Sequence, residues 1–162
     1  MASAFYLSLA LKTQGLQKDP MTCAFEEARA AEGRGDVPIG AVIVCGGIII
    51  ARGGNETRRV IDPTAHAEIV AIREACHFKK SERLPFCDIY VTLEPCAMCA
   101  AAISFVRLRR LYFAAYDPKG GAVEHGSRYF QQPTCHHAPE VYGGIRESEA
   151  AAILASFFKK RR

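Results

Sequence analysis

The apolar residues of this chain follow two periodicities, one typical of helices and the other of strands. Helical spacing predicts a helix that begins at Asp19-Pro20 and is stopped by Gly33 and Gly35, and further helices over about 65–77, 96–105 and 147–162. Apolar, β-branched runs predict strands over 39–45, 47–51, 88–93, 109–115 and 140–142. Cys45-Gly46-Gly47 between the first two runs indicates a hairpin. Loops are expected over 52–63 and 117–121, with a short helix after the second.

Strands that alternate with helices after an opening hairpin predict an α/β fold, in which helices cover both faces of a sheet. A chain of 162 residues is long enough for one domain with a substantial core. We expect that domain to span residues 20–162. Residues 1–19 are expected to form a flexible N-terminal extension, and Met21 offers an alternative start for the working protein.

Composition narrows the class of protein without identifying it. The formal charge of +4 permits an anionic partner but does not require one. Seven cysteines are an odd number, and the apolar segment 4–11 lacks the preceding basic residue and the cleavage site of a secretion signal. No apolar run approaches the length of a membrane helix. A cytoplasmic protein with free or metal-bound thiols is therefore expected.

Three potential zinc ligands and one carboxylate give the chain its candidate chemistry. His66 stands two residues before Glu68, and Cys96 stands three residues before Cys99. Alone, a histidine is more often hydrogen-bonded than metal-bound, and a Cys-x-x-Cys pair is also typical of redox and structural zinc sites. Three protein ligands are typical of catalytic zinc, and a nearby glutamate can then move a proton. The combination predicts a zinc hydrolase.

The spacing also indicates how these side chains meet. Cys96 and Cys99 share one face of a helix, with Pro95 expected at its first position. His66 and Glu68 can converge only at the start of a helix, for which Thr64 is the candidate cap. Two helix N-termini would then be directed at one metal ion, and their unpaired amides would stabilise negative charge.

These motifs resemble those of the cytidine-deaminase-like superfamily and, more narrowly, the bacterial tRNA-specific adenosine deaminases. The resemblance runs from about residue 21 to the C-terminus, and its segments are 37–42, 62–69, 90–100, 117–121 and 157–162. It implies a cytidine-deaminase-like three-layer α/β/α sandwich around a mixed five-stranded sheet. It also implies a homodimer with one Zn²⁺ in each subunit.

The resemblance assigns a role to individual residues. It implies that His66, Cys96 and Cys99 bind zinc, that Glu68 shuttles protons, and that the backbone amides of Ala67 and Cys96 face the activated water. Substrate contacts are implied for the nucleoside pocket (Ile39, Asn55), for the nucleotides that flank the target (Asp117, Lys119) and for the anticodon loop (Phe157, Lys160, Arg161).

The function that the resemblance implies is hydrolytic deamination of adenosine to inosine at the wobble position of an arginine tRNA, by zinc-activated hydroxide. Two alternatives stay open. A deaminase of the same fold could act on guanine, cytosine or a free nucleoside. A noncatalytic, zinc-stabilised RNA-binding module would instead need a fourth ligand, for which Cys76, Cys87 and Cys135 are candidates.

Overall fold

A mixed five-stranded sheet lies at the centre of the protein, and a computed structural model describes residues 18–161. The strands are β1 (Gly40–Cys45), β2 (Ile48–Gly54), β3 (Cys87–Leu93), β4 (Arg110–Ala115) and β5 (Glu140–Tyr142). The helices are α1 (Pro20–Gly33), α2 (Ala67–Lys79), α3 (Ala97–Phe105) and α4 (Glu147–Lys159). The strand order is β2-β1-β3-β4-β5. β1 is antiparallel to both of its neighbours, whereas β3, β4 and β5 are parallel.

Each face of the sheet has its own apolar core. Ala41 and Ile43 of β1 pack with residues of α2 and α3, whereas Val42 and Val44 pack with residues of α1 and α4. Successive side chains of a strand point to opposite faces, so one strand supplies both cores. The three-layer α/β/α sandwich around a mixed five-stranded sheet is confirmed.

Helix α1 begins where the sequence predicts. The Asp19 carboxylate accepts a hydrogen bond of 2.9 Å from the Thr22 amide, and Pro20 follows the cap as the first helical residue. The helix lies directly against β1 at Gly40, where a Cβ atom would stand 2.0 Å from the Ala24 carbonyl oxygen.

Strand β2 extends to Gly54, so the prediction that a loop begins at residue 52 was wrong. The apolar run stops at Ala51, and Gly53 and Gly54 have no side chains that would continue the strand pattern, so the end of the strand could not be predicted from it. Gly53 is required there because α2 crosses so closely that a Cβ atom would lie 2.5 Å from the Ala67 carbonyl oxygen.

The helix ends also differ from the prediction by one to three residues. α2 and α3 begin one residue after His66 and Cys96, because both of these residues have extended backbones. The short helix expected after residue 121 is a single 3₁₀ turn, Tyr129–Gln131. α4 ends at Lys159.

The predicted extension 1–19 lies outside the described residues except for its last two positions. Lys18 pairs with Glu26 at 2.6 Å, and Asp19 caps α1. None of the helices within residues 18–161 has the length and apolar character needed to cross a membrane.

Candidate metal centre and active site

Two helix starts place the candidate zinc ligands. His66 and Cys96 are the residues immediately before α2 and α3, and neither side chain is used as a helix cap. Their side chains are therefore available beyond the helix ends, as the sequence predicts. The predictions for Thr64 and Pro95 were wrong, because His66 and Cys96 themselves hold the cap positions. The Thr64 hydroxyl and amide bind the Asp62 carboxylate instead, at 2.7 and 2.8 Å.

The structure brings His66, Cys96 and Cys99 together with distances that suit zinc. The His66 Nδ1 atom lies 3.6 Å from the Cys96 Sγ atom and 3.5 Å from the Cys99 Sγ atom. Tetrahedral zinc with Zn–N of about 2.1 Å and Zn–S of about 2.3 Å separates nitrogen from sulfur by about 3.6 Å. The donor types and their separations therefore fit one zinc ion.

Among residues 18–161, His66, Cys96 and Cys99 form the one group of histidine, cysteine and acidic side chains close enough to share a metal ion. The thiol of Cys135, a candidate fourth ligand, contacts the Ser104 hydroxyl and the His137 carbonyl oxygen instead. Cys76 and Cys87 also lie outside the group. Three protein ligands are typical of catalytic zinc and four of structural zinc, which disfavours the noncatalytic module.

The pKa values of the two cysteine thiols of the site are shifted in opposite directions. The Cys99 thiol and the His66 ring hydrogen-bond to Cys96 and lower the pKa of Cys96 to about 4. The neighbouring Cys96 sulfur and burial raise the pKa of Cys99. The Cys96 sulfur is therefore a thiolate near neutral pH, which is the form that binds zinc.

Glu68 lies in the first turn of α2 and is only 4% exposed. Burial raises the pKa of its carboxyl group from 4.5 to about 7. The Glu68 carboxyl group and the Cys99 thiol influence one another's pKa, so the carboxyl group lies close to the candidate ligands. A carboxyl group that titrates near neutral pH is well suited both to accept and to donate a proton.

Asn55 and Ile39, the predicted nucleoside contacts, are neighbours at the end of the hairpin. The Asn55 amide donates to the Ile39 carbonyl oxygen at 2.9 Å, and the Asn55 side chain is buried. The next amide, that of Glu56, donates to the carbonyl oxygen of Ala65 at 3.0 Å. Because Ala65 precedes His66, this bond ties the Asn55 segment to the metal centre.

Glu94 was missed by the sequence analysis. It follows β3, its side chain is fully buried, and its carboxylate accepts hydrogen bonds from the loop that carries Asp117 and Lys119. Burial acts to raise the pKa of Glu94, but the hydrogen bonds from the Asp117 amide and His125 outweigh it and hold that pKa below its usual value. A carboxylate directly after an apolar strand was the available signal, because a buried charge requires partners.

The C-terminal residues predicted to contact RNA differ in their availability. Phe157 is 4% exposed, and the Arg161 guanidinium lies 4.2 Å above its ring. Base stacking by Phe157 is not compatible with this burial, and Phe158, at 52%, is the exposed ring. Arg161 donates to the Gly35 carbonyl oxygen at 2.6 Å, whereas Lys160 is exposed and 3.4 Å from Glu32.

Comparison with known proteins places the chain in a family. The model of the cytidine and deoxycytidylate deaminase zinc-binding region matches residues 15–115, which contain the candidate ligands and Glu68. The tRNA-specific adenosine deaminase of Agrobacterium fabrum is 63% identical over 142 residues, which cover 88% of this chain and 93% of that protein. The chain belongs to the tRNA-specific adenosine deaminases. Zinc is accordingly the metal that the site binds.

Solved structures related to the tRNA-specific adenosine deaminases share the fold of this chain. One, from work on A-to-I editing by tRNA:A34 deaminases at the wobble position of transfer RNA, has a TM-score of 0.83 and 63% identity, covering 85% of this chain and all of that one. The guanine deaminase of Bacillus subtilis has a TM-score of 0.60 and 31% identity, over 86% of this chain and 92% of that one. The fold therefore serves more than one base, and it does not by itself determine the substrate.

Proposed function

We propose that this chain hydrolyses the wobble adenosine of a tRNA anticodon to inosine and releases ammonia. The observation that carries the proposal is a buried carboxyl group, that of Glu68, beside a three-ligand zinc site. The 63% identity to a tRNA-specific adenosine deaminase supports adenosine in tRNA as the substrate. An arginine tRNA and the cytoplasm are the proposed substrate and location.

Glu68 is the proton carrier that the reaction needs. When bound to His66, Cys96 and Cys99, zinc supplies Lewis acidity that lowers the pKa of water, so a nucleophile forms near neutral pH. Glu68 accepts a proton as the water oxygen attacks C6 of adenine, and it delivers a proton to N1. A further proton transfer through Glu68 lets the C6 amino group leave as ammonia. Glu68 returns to its starting state at the end of the cycle.

The starts of α2 and α3 add electrostatic stabilisation. Ala67 and Cys96 lie where the two helices begin, and the first amides of a helix have no partner within it. Two positive helix ends therefore meet at the metal centre, where negative charge develops during attack on the base. We assign the Ala67 and Cys96 amides to this role.

The substrate contacts follow from the same arrangement. Ile39 would pack against the base and Asn55 would hydrogen-bond the flipped nucleoside, since their segment is hydrogen-bonded to Ala65, the residue before the ligand His66. Asp117 and Lys119 would contact the flanking nucleotides, and Lys160 would bind backbone phosphate. A base can reach such a buried site only from an unpaired, splayed loop, which is the form of an anticodon.

We also infer a homodimer, which the family resemblance implies. Phe105, at the end of α3, is 71% exposed and offers apolar surface for such a contact. Sedimentation of the purified protein at micromolar concentration should show twice the chain mass. A monomer under those conditions would refute the dimer without affecting the chemistry.

Nucleoside mass analysis tests the proposed function against its rival. The protein should convert the adenosine of an anticodon stem-loop with adenosine at the wobble position, and it should leave guanine, cytosine and free adenosine unchanged. The control stem-loop carries the adenosine within its paired stem. Deamination of guanine but not of the stem-loop would favour the free-base alternative, to which the likeness to guanine deaminase points.

A further inference from the structure

Glu94 is the most heavily hydrogen-bonded buried carboxylate beside the active site. Its Oε1 atom accepts from the amides of Val123, Glu124 and His125, at 3.2, 2.8 and 3.0 Å. Its Oε2 atom accepts from the Asp117 amide at 2.9 Å and lies 2.8 Å from the His125 Nδ1 atom. The side chain has no exposed surface. Both ends of one loop therefore converge on a single carboxylate.

We call residues 117–125 the Glu94-bound loop, and its middle is tied to the same segment. The Ala122 amide donates to the Pro95 carbonyl oxygen at 2.9 Å. A Cβ atom at Gly121 would lie 2.5 Å from the Glu94 carboxyl carbon, so the loop wraps closely around this side chain. Glu94 and Pro95 lead directly into Cys96, so the loop is fixed relative to the metal centre.

A loop can be held in place without a buried carboxylate. Removing a carboxylate from water is costly unless its hydrogen bonds are satisfied, and apolar packing holds many loops as well. An anionic acceptor does, however, fix several amide directions at once with strong, directional bonds. Glu94 holds the amide of Asp117, while the Asp117 carboxylate accepts from the amides of Lys119 and Gly120 at 3.1 and 3.0 Å. The orientation of Asp117 and the turn that carries Lys119 thus depend on Glu94.

We propose that Glu94 is a positioning residue for the RNA: it sets the place of Asp117 and Lys119 relative to the metal centre, and so governs binding of the nucleotides that flank the target. The inference rests on the proposed function, because it assumes that Asp117 and Lys119 contact a tRNA anticodon. Glu94 acts through Asp117, and it does not touch the reacting base.

The test begins with Glu94→Gln, which keeps the shape of the side chain. One amide oxygen still accepts from the three amides of the Val123–His125 segment, but the new NH₂ group faces the Asp117 amide, and two donors repel. We expect unchanged zinc content, kcat within about twofold, and KM for the wobble-adenosine stem-loop raised about tenfold or more. Glu124→Gln is the matched control, because that side chain is exposed on the same loop and KM should not change.

A double-mutant cycle with Asp117→Ala separates positioning from general stabilisation. If Glu94 acts through Asp117, the double variant should have the KM of Asp117→Ala alone. If the two KM effects multiply, or if Glu94→Gln lowers kcat and zinc content while it raises KM, the proposal is overturned.

A second variant tests the proposal if Glu94→Gln folds poorly. Gly121→Ala displaces the loop from an intact carboxylate, and it should raise KM with zinc retained; a normal KM would overturn the proposal. Wild-type protein and Glu124→Gln must both produce inosine in this assay. If they do not, the proposed function fails. If they do, but the KM effects of Glu94→Gln and Asp117→Ala multiply in the double variant, only the role of Glu94 is rejected.

Discussion

At the scale of single residues, the site depends on where the backbone changes from extended to helical. Residues two apart do not share a helix face, so His66 and Glu68 would diverge within a regular helix. His66 has an extended backbone (φ −69°, ψ 154°) and Glu68 lies in the helix that follows. The change in conformation between them lets an imidazole and a carboxyl group converge on one place.

Loss of one thiolate should remove the metal. Cys99→Ser replaces a soft sulfur ligand with a poor oxygen donor. We expect zinc affinity to fall by more than the ~10–100-fold that changes around a metal site cost, and the melting temperature to fall with it. Metal analysis and thermal unfolding of the purified variant measure both. Cys135→Ser is the control, and full zinc occupancy in Cys99→Ser would contradict the ligand assignment.

The residue types and spacing of the metal centre could be predicted because zinc chemistry restricts them. The role of Glu94 could not, because its partners lie 23 to 31 positions away and only folding brings them together. Phe157 and Phe158 show the same limit. Helical spacing places both residues near the apolar face of α4. Only the packing of α4 determines that Phe157 is buried and Phe158 is exposed.

At the scale of elements, two glycines let helices lie directly against the sheet. Strand β1 could be predicted from its apolar run, but the end of β2 could not, since its last residues contribute no side chains to the pattern. Gly40 and Gly53 stand where α1 and α2 cross the hairpin, and a Cβ atom at either would meet helix backbone within 2.5 Å.

Gly40→Ala should therefore destabilise the contact between α1 and β1. We expect the free energy of unfolding to fall by about 1–3 kcal/mol or more, because helix backbone rather than a flexible side chain must move. Urea denaturation measures the change. Gly33→Ala is the matched control, since nothing lies within 4 Å of the added methyl group. Equal stability of the two variants would contradict this account of the packing.

Stacked tyrosines join three strands and make the stability of the folded state depend on pH. Tyr90 stacks on Tyr112 and Tyr112 on Tyr142, with ring centroids 4.4 and 4.9 Å apart. Burial, followed by the proximity of Tyr112, raises the pKa of Tyr90 from 10 to about 12. The folded state holds this proton more tightly than the unfolded state, so the resulting stability is present below pH 10 and is lost as pH rises towards 12.

Absorbance titration of tyrosinate should show one tyrosine with a pKa of about 12 rather than the usual 10. Tyr90→Phe should remove that component of the titration curve. Tyr129→Phe is the control, because that ring lies outside the stack. A titration curve that Tyr90→Phe leaves unaltered at its alkaline end would contradict the assignment.

At the scale of the whole molecule, α4 returns to the end of α1 and carries basic residues with it. Arg161 is engaged with Phe157 and Gly35, so Lys160 is the residue better placed to bind phosphate. If Lys160 contacts one phosphate, Lys160→Ala should weaken stem-loop binding and reduce the slope of log K against log salt by about 0.7–0.9. Binding titrations at several salt concentrations measure the slope. Lys80→Ala, at the far end of α2, should not change it, and an unchanged slope for Lys160→Ala would leave Lys160 as solvated surface.

The central claim is that a carboxyl group held beside a three-ligand zinc site moves the protons of a deamination. The most direct test is Glu68→Gln, assayed for zinc content and for inosine formed from the wobble-adenosine stem-loop, with the exposed Glu82→Gln as control. We predict full zinc occupancy and a rate reduced by about 10²–10⁴-fold or more. A Glu68→Gln variant that still forms inosine at the rate of the control would contradict the account.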